Sequence, residues 1–233
     1  RFGDIFGTED DRVNCPFYFK IGACRHGDKC TRVHNKPQIS ETLLVKNMYK
    51  NPPVSIAIVE GKKVSDEGVK QSIKHFEDFY EAVFLEFSNY GRIEDVNVLD
   101  NLGDHLIGNV YIQFSQENEA KTAMADLANK YFGEKPLLME YSPVSDFRES
   151  RCRQYDDSSC DRGGYCNFMH LKYISRKFKE SLFDQMFDEH PEYKKKKVQR
   201  SRRSRSRDSE NSDLADFSSR ERKRIISKWN KLF

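Results

Sequence analysis

Two groups of cysteine and histidine carry the most chemistry in this chain. Cys15, Cys24, Cys30 and His34 follow C-x8-C-x5-C-x3-H, and Cys152, Cys160, Cys166 and His170 follow C-x7-C-x5-C-x3-H. All six cysteines of the 233 residues fall in these groups. Three thiolates and an imidazole on a short loop form a complete tetrahedral ligand set, so the spacing predicts two zinc ions as structural cofactors. Disulfides would also consume six cysteines, but they do not require a histidine three residues after each third cysteine. Disulfide-rich scaffolds are, moreover, usually short secreted chains. A catalytic metal needs an open position, which four protein ligands do not leave.

Composition narrows the classes further. Charged residues make up 33% and hydrophobic residues 37%, enough apolar material for one modest core. The chain starts Arg-Phe-Gly-Asp with no apolar signal segment, and no stretch is apolar enough to cross a bilayer, so no membrane partner is expected. The net charge is +3, yet residues 194–207 (KKKKVQRSRRSRSR) hold nine positive charges and no negative one, which leaves the rest acidic. A basic tail on an acidic body predicts separate surfaces for separate partners. Enzyme chemistry finds no support: there is no glycine-rich phosphate loop, no spare cysteine and no nucleophile–base pair. His75, His105 and His190 read as surface or packing residues.

The elements that must position the two groups lie mostly between them. Residues 42–48 (TLLVKNM) read as a strand, and 51–66, with Pro52, Pro53 and Gly61, as a loop or insertion. A helix over 70–88 carries Phe76, Phe79, Tyr80, Val83, Phe84 and Phe87 on one face, with Gly91 ending it. Strands follow at 94–99 and 109–114. Ser115 is the expected N-cap of a helix bearing Ala120, Ala123, Met124 and Leu127, and 136–141 is the last strand. The order β-α-β-β-α-β predicts an α+β, ferredoxin-like domain of the RNA-recognition (RRM) type, flanked by two small CCCH zinc fingers and followed by a disordered RS-like tail. The expected divisions are a first finger at 12–38, the RRM-like domain at 39–145, a second finger at 146–173 and a helical extension at 174–193. A basic RS-like tail at 194–213 and a basic, tryptophan-bearing segment at 214–233 complete the chain.

RRM sheets stack bases on aromatics of the central strands. Here Ile107 stands where Arg or Lys is expected, Asn109 and Leu44 occupy aromatic positions, and only Tyr111 and Phe114 fit. The domain therefore reads as a protein-binding variant, with single-stranded RNA on the sheet as the alternative. Glu77, Asp78, Glu81 and Glu86 make the first helix acidic, which suits a basic peptide, or else form a solvated face. Groups suited to unpaired bases surround the metal ligands instead. The first finger offers Phe17, Tyr18, Phe19, Arg25, Lys29, Thr31 and Arg32. The second offers Arg151, Arg153, Gln154, Arg162, Tyr165, Asn167 and Phe168. Phe19 and Phe168 could equally pack inside so small a fold.

From about Phe6 to Ser175 the chain closely resembles the small-subunit family of the U2 auxiliary factor, a pre-mRNA splicing factor. NCPFYFKIGACRHGDKC, DNLGDHLIGNVYIQF, SPVSDFRES and RGGYCNFMHLK carry the resemblance. It implies a nuclear, non-enzymatic protein whose fingers contact the AG dinucleotide of the 3′ splice site, with Thr31 and Gln154 near the RNA. It also implies that the central domain, a U2AF homology motif, binds a basic, tryptophan-containing peptide of the large subunit. The family's Arg-x-Phe loop maps onto Lys130-Tyr131-Phe132, with lysine in place of arginine and Tyr131 in place of the usual tryptophan. The DNLGDHLIGNVY stretch favours the major-class over the minor-class subunit. A different class of function, a CCCH regulator of mature mRNA, would not need a peptide-binding site.

Arg200–Arg207 (RSRRSRSR) resembles an abbreviated RS domain that contacts other splicing proteins or RNA; a nuclear-localisation run is the alternative. The segment 220–230 (RERKRIISKWN) holds the chain's only tryptophan, Trp229. It reads either as a ligand motif for a U2AF homology motif or as an amphipathic helix with Ile225, Trp229 and Phe233 on one face.

Overall fold

The computed structural model describes residues 13–133 and 135–194. The RS-like run and the Trp229 segment lie outside them. In chain order the elements are α1 (Pro16–Ile21), β1 (Thr42–Lys46), α2 (Pro53–Val59), α3 (Asp66–Ser88), β2 (Ile93–Val98), β3 (Val110–Phe114), α4 (Glu117–Leu127), β4 (Tyr131–Phe132), β5 (Lys135–Pro136), β6 (Leu138–Tyr141), α5 (Phe147–Ser150), α6 (Arg153–Asp156) and α7 (Arg176–Glu189). The main sheet is antiparallel in the order β2-β3-β1-β6, with α3 and α4 packed on one face, which is the ferredoxin-like arrangement. No helix among the described residues is long and apolar enough to cross a membrane.

Several boundaries differ from the sequence reading. Residues 51–66 are not all loop: Pro53 starts α2, because a proline at the first helical position loses no hydrogen bond. Helix α3 begins at Asp66, four residues early, since the Ser65 hydroxyl accepts the Gly68 N–H and the acidic first turn suits the helix dipole. It stops at Ser88, before Gly91, whose missing side chain instead makes room for Glu119. Ser115 does not cap α4. Its hydroxyl donates to the Glu119 carboxylate, and Gln116 holds the N-cap position without a side-chain bond. The last strand is shorter than 136–141, because Pro136 belongs to a two-stranded hairpin in which Tyr131 pairs with Pro136 and Phe132 with Lys135.

The strands alternate, but both faces are apolar. Leu43, Val45, Val110, Ile112 and Phe114 point toward the helices. There they join Phe76, Tyr80, Val83, Phe84 and Phe87 of α3 and Leu182, Met186 and Phe187 of α7. On the opposite face Leu44 and Tyr111 are fully buried with Leu99 and Leu106, beneath Ile21 from the first finger and Met169 from the second. Phe114, which fits the stacking pattern in sequence, is thus a core residue. Tyr111 does point outward, but it donates its hydroxyl to the Ile21 carbonyl (2.6 Å) and meets Phe147 edge to face, so no base reaches it. This cover leaves no stacking surface at Leu44 and Tyr111, which weighs against the alternative reading of RNA on the sheet.

Gly22 ends α1 in the left-handed region (φ 72°), where its N–H closes onto the Tyr18 carbonyl. A Cβ there would stand 2.6 Å from Ser142 Oγ at the end of β6. Gly22→Ala should therefore lift the first finger from the sheet and cost about 1–3 kcal/mol, through a strained backbone and an overfilled contact. Chemical denaturation, with increased binding of a hydrophobic dye to the uncovered Leu44 and Tyr111 face, checks this.

Candidate metal centres and nucleic-acid interface

The four candidate ligand atoms of each group lie within 4.8 Å of one another. Cys24 and Cys30 sulfurs are 3.9 Å apart, Cys152 and Cys160 3.7 Å, and Cys166 and Cys152 3.8 Å. A tetrahedron with zinc–sulfur bonds of about 2.3 Å has sulfur edges of about 3.8 Å, so the donor sets fit zinc. His34 Nε2 is buried and has no hydrogen-bond partner among the described residues, as a ligand nitrogen requires. Burial pushes the Cys24 and Cys152 thiols up to about 11 and 12. They keep their protons at neutral pH until a cation displaces them, so metal capture releases protons and weakens as pH falls. The two groups fit two zinc ions.

The fingers share one backbone plan. In each, the first cysteine opens a short helix, α1 or α6. A single 3-10 turn, Gly27–Lys29 or Gly163–Tyr165, precedes the third cysteine, and a parallel bridge closes the loop: Asn14 with Val33, or Arg151 with Met169. A tyrosine three residues after the first cysteine covers the ligand histidine. Tyr18 stacks on His34 at 4.6 Å between ring centroids, and Tyr155 on His170 at 3.9 Å. Tyr18, expected at the RNA, is only 5% exposed, with one ring face on the metal loop. Tyr155 does not stand out in sequence. The repeat of a tyrosine at the same offset in both groups is the signal that points to it.

The turn between β2 and β3 anchors the second finger. Asn101 is fully buried: its Oδ1 accepts the His170 N–H (2.8 Å), and its Nδ2 donates to the Cys166 and Phe168 carbonyls (3.0 Å each). The Asp100 N–H donates to the His170 carbonyl, and the Leu102 N–H to that of Gly164. The Asp100 carboxylate accepts from Tyr155 Oη at 3.0 Å and pairs with Lys172 at 2.8 Å. Burial, then this carboxylate, holds the Tyr155 hydroxyl well above its ordinary pKa. These contacts hold the backbone of the ligand residues Cys166 and His170 against the β2–β3 turn. On the first finger, Ser150 of α5 donates its hydroxyl to the Lys20 carbonyl.

The structure brings the two fingers face to face. The rings of Phe17 and Phe168 lie 6.3 Å apart. Phe19 (65%) and Tyr165 (63%) are exposed, while Phe168 is half-buried against the outer-face cluster. Arg25, Lys29, Thr31, Arg32, Arg153, Gln154 and Arg162 are exposed. Arg162 donates to Gln154 Oε1 (3.0 Å), and the half-buried Arg151 pairs with Asp156. Asn167 Oδ1 is buried with no partner among the described residues. On the far side of the sheet, Phe132 of the β4–β5 hairpin packs edge-on against Phe79 of α3 at 5.5 Å. That contact sets the exposed Lys130 and Tyr131 beside the helix that carries Glu77, Asp78 and Glu81. Asp78 is exposed, and both glutamates are half-buried.

A ferredoxin-like sheet capped by two Cys3His loops defines an α+β protein of the CCCH zinc-finger class. The family model "Zinc finger C-x8-C-x5-C-x3-H type (and similar)" matches residues 10–36. The chain is 54% identical over 186 residues to the splicing factor U2af 38 kDa subunit of Drosophila melanogaster, covering 78% of this chain and 69% of that protein. It is 53% identical over 182 residues to the splicing factor U2AF 26 kDa subunit of Rattus norvegicus, covering 77% and 81%. With a splicing factor U2af small subunit of Arabidopsis thaliana it shares 51% over 185 residues, which is 78% of this chain but spans only 64% of that protein's length. The chain belongs to the family of U2AF small subunits, which are splicing factors.

Asn101→Ala removes three buried hydrogen bonds around His170. It should weaken zinc retention in the second finger about 10–100-fold and leave the first unchanged. Chelator competition with metal counting checks this: two zinc ions per chain should fall to one at intermediate chelator.

Proposed function

We propose that this chain is a non-enzymatic, nuclear splicing-factor subunit that works through two separate faces. With its two fingers it reads the AG dinucleotide at the 3′ end of an intron. With α3 and the β4–β5 hairpin it holds a basic, tryptophan-containing peptide of a larger subunit. The observation that carries this reading is the complete burial of Leu44 and Tyr111 beneath the fingers. No base can stack on Leu44 or Tyr111, whereas the fingers expose the rings of Phe19 and Tyr165 and the cations Arg25, Lys29, Arg32, Arg153 and Arg162.

In this reading Phe17, Phe19, Tyr165 and Phe168 offer ring faces to unpaired bases. Arg25, Lys29, Arg32, Arg151, Arg153 and Arg162 meet phosphates, and Thr31, Gln154 and Asn167 meet base edges. The open acceptor on Asn167 supports a base-edge role, because a buried carbonyl without a partner favours a ligand that donates to it. A dinucleotide supplies little binding energy, so the affinity of the complex depends on linkage to the larger subunit's own contacts. On the other face, Glu77, Asp78 and Glu81 attract the basic flank of the peptide. Lys130, Tyr131 and Phe132 border the site for its tryptophan, and Phe79 supports Phe132 from below. Lysine at position 130 meets a carboxylate as a point charge where the family's arginine would use a planar fork. The RS-like run is assigned to contacts with other splicing proteins.

Short RNAs ending in AG, CG and GG, with and without the large-subunit peptide, test both halves. AG should bind tightest. Phe17→Ala should weaken RNA by about 1–3 kcal/mol and spare the peptide. Glu81→Lys should weaken the peptide and spare AG preference in its absence. Equal affinity for all three RNAs in the zinc-loaded protein would refute the finger assignment.

A further inference from the structure

The described part of the chain runs out beside α3. Tyr193 is buried and donates its hydroxyl to the Ser88 carbonyl (3.2 Å), at the last residue of that helix. Glu81 lies about 10 Å back along α3, at about 1.5 Å per residue, with Asp78 and Glu77 one turn further. None of the three carboxylates is held by an ion pair or hydrogen bond among the described residues. They stand about one turn apart, where like charges repel, so a cationic ligand relieves them. Next to them the β4–β5 hairpin offers aromatic surface: Tyr131 is 68% exposed, and Phe132 is half-buried against Phe79.

We propose that residues 220–230 of this same chain (RERKRIISKWN) dock on this face and compete there with the peptide of the larger subunit. The proposal rests on the reading of α3 and the hairpin as a site for a basic, tryptophan-containing peptide. That reading names a ligand chemistry, and the chain itself contains a match. Trp229 is its only tryptophan, and Arg220, Arg222, Lys223, Arg224 and Lys228 precede it, with Glu221 as the one acid among them. The cations meet Glu77, Asp78 and Glu81, and the indole meets the rings of Tyr131 and Phe132. Reach sets no barrier. Trp229 is 35 positions beyond Lys194, and even a coiled chain of that length spans about 30 Å, the diameter of a small domain. The tether also decides between this copy and another. Groups joined by such a length meet at an effective concentration of about a millimolar, so in dilute solution the segment fills its own site before that of a second copy. The larger subunit's peptide must displace it, and its apparent affinity falls with the fraction of molecules whose site is free. The segment thus shields the face until the larger subunit arrives.

The test uses the zinc-loaded full chain and a synthetic basic peptide of the larger subunit with one tryptophan. Trp229→Ala should bind that peptide about tenfold more tightly than the unaltered chain does. Arg222→Glu, Lys223→Glu and Arg224→Glu together should have the same effect, and AG preference should be kept in both variants. Incorporated 5-fluorotryptophan gives one fluorine resonance, at Trp229. Unlabelled peptide should move it to the position seen for isolated residues 220–230, Glu81→Lys should do so without peptide, and dilution should leave it in place. The contact is overturned if Trp229→Ala binds the peptide no more tightly than the unaltered chain, or if the resonance ignores both the peptide and Glu81→Lys. A resonance that moves on dilution overturns it in favour of a second copy. Failure of the Trp229→Ala chain to bind the peptide at all would instead overturn the reading of the peptide face, and this contact with it.

Discussion

A four-stranded sheet with helices on one side has a second face to keep from water, and here that face is apolar. Leu44, Leu99, Leu106 and Tyr111 are all fully buried on it. Hiding each such side chain is worth about 1.5–3 kcal/mol, so whatever covers them is held strongly. The cover is the pair of metal loops. Neither has a core of its own: the apolar interior of the first is little more than Cys15, Tyr18 and Cys24. Zinc shapes the loops, contributing about 10–16 kcal/mol in isolated small fingers, and the sheet then fixes where they sit. Metal, loop and sheet therefore depend on one another. The Asn101 contacts carry that dependence from the β2–β3 turn to the His170 backbone.

The same packing divides the molecule's surfaces. Because the fingers take the face on which related folds stack bases, exposed rings and cations collect on the fingers, while α3 and its hairpin remain open on the other side. Helix α7 extends the core beyond the usual helix pair: Leu182 and Met186 are buried among the helices, and Phe183 meets Phe84 edge to face at 5.0 Å. Lys172 lies between the second finger and the helical layer, paired with Asp100 and 5.5 Å from the rings of Tyr49 and Phe76. Two separate exposed surfaces on one sheet domain are what the proposed link between a short RNA signal and a protein partner requires.

Much of this was legible in the sequence, and the failures have physical causes. Elements with strong periodicity, such as the aromatic face of α3, stood out because helical spacing and burial agree. Boundaries failed where local chemistry outweighed pattern. Pro53 looked like a breaker but starts a helix, Ser115 looked like a cap but bonds Glu119, and Pro136 pairs in a hairpin apart from the main sheet. Among the fingers' aromatics, composition could not separate Phe19, which is exposed, from Tyr18, which stacks on His34. The two are neighbours on a short helix whose orientation depends on the rest of the fold. The DNLGDHL stretch was conspicuous in sequence, yet its role as the second finger's anchor emerges only when residues 100–102 meet residues 164–170.

The sequence by itself determined the metal chemistry, the order of strands and helices, and the loss of a stacking surface, because ligand spacing and apolar periodicity are local properties of a chain. Only the tertiary structure decided what became of the vacated face. Leu44 and Tyr111 do not say in sequence whether they meet water, a base or a metal loop. That answer needs Ile21 and Met169, which lie on the two metal-ligand loops and meet the sheet only in the folded chain. The paired cysteine groups are thus lids on the sheet as well as metal sites, and buried apolar area between distant segments is what makes them so.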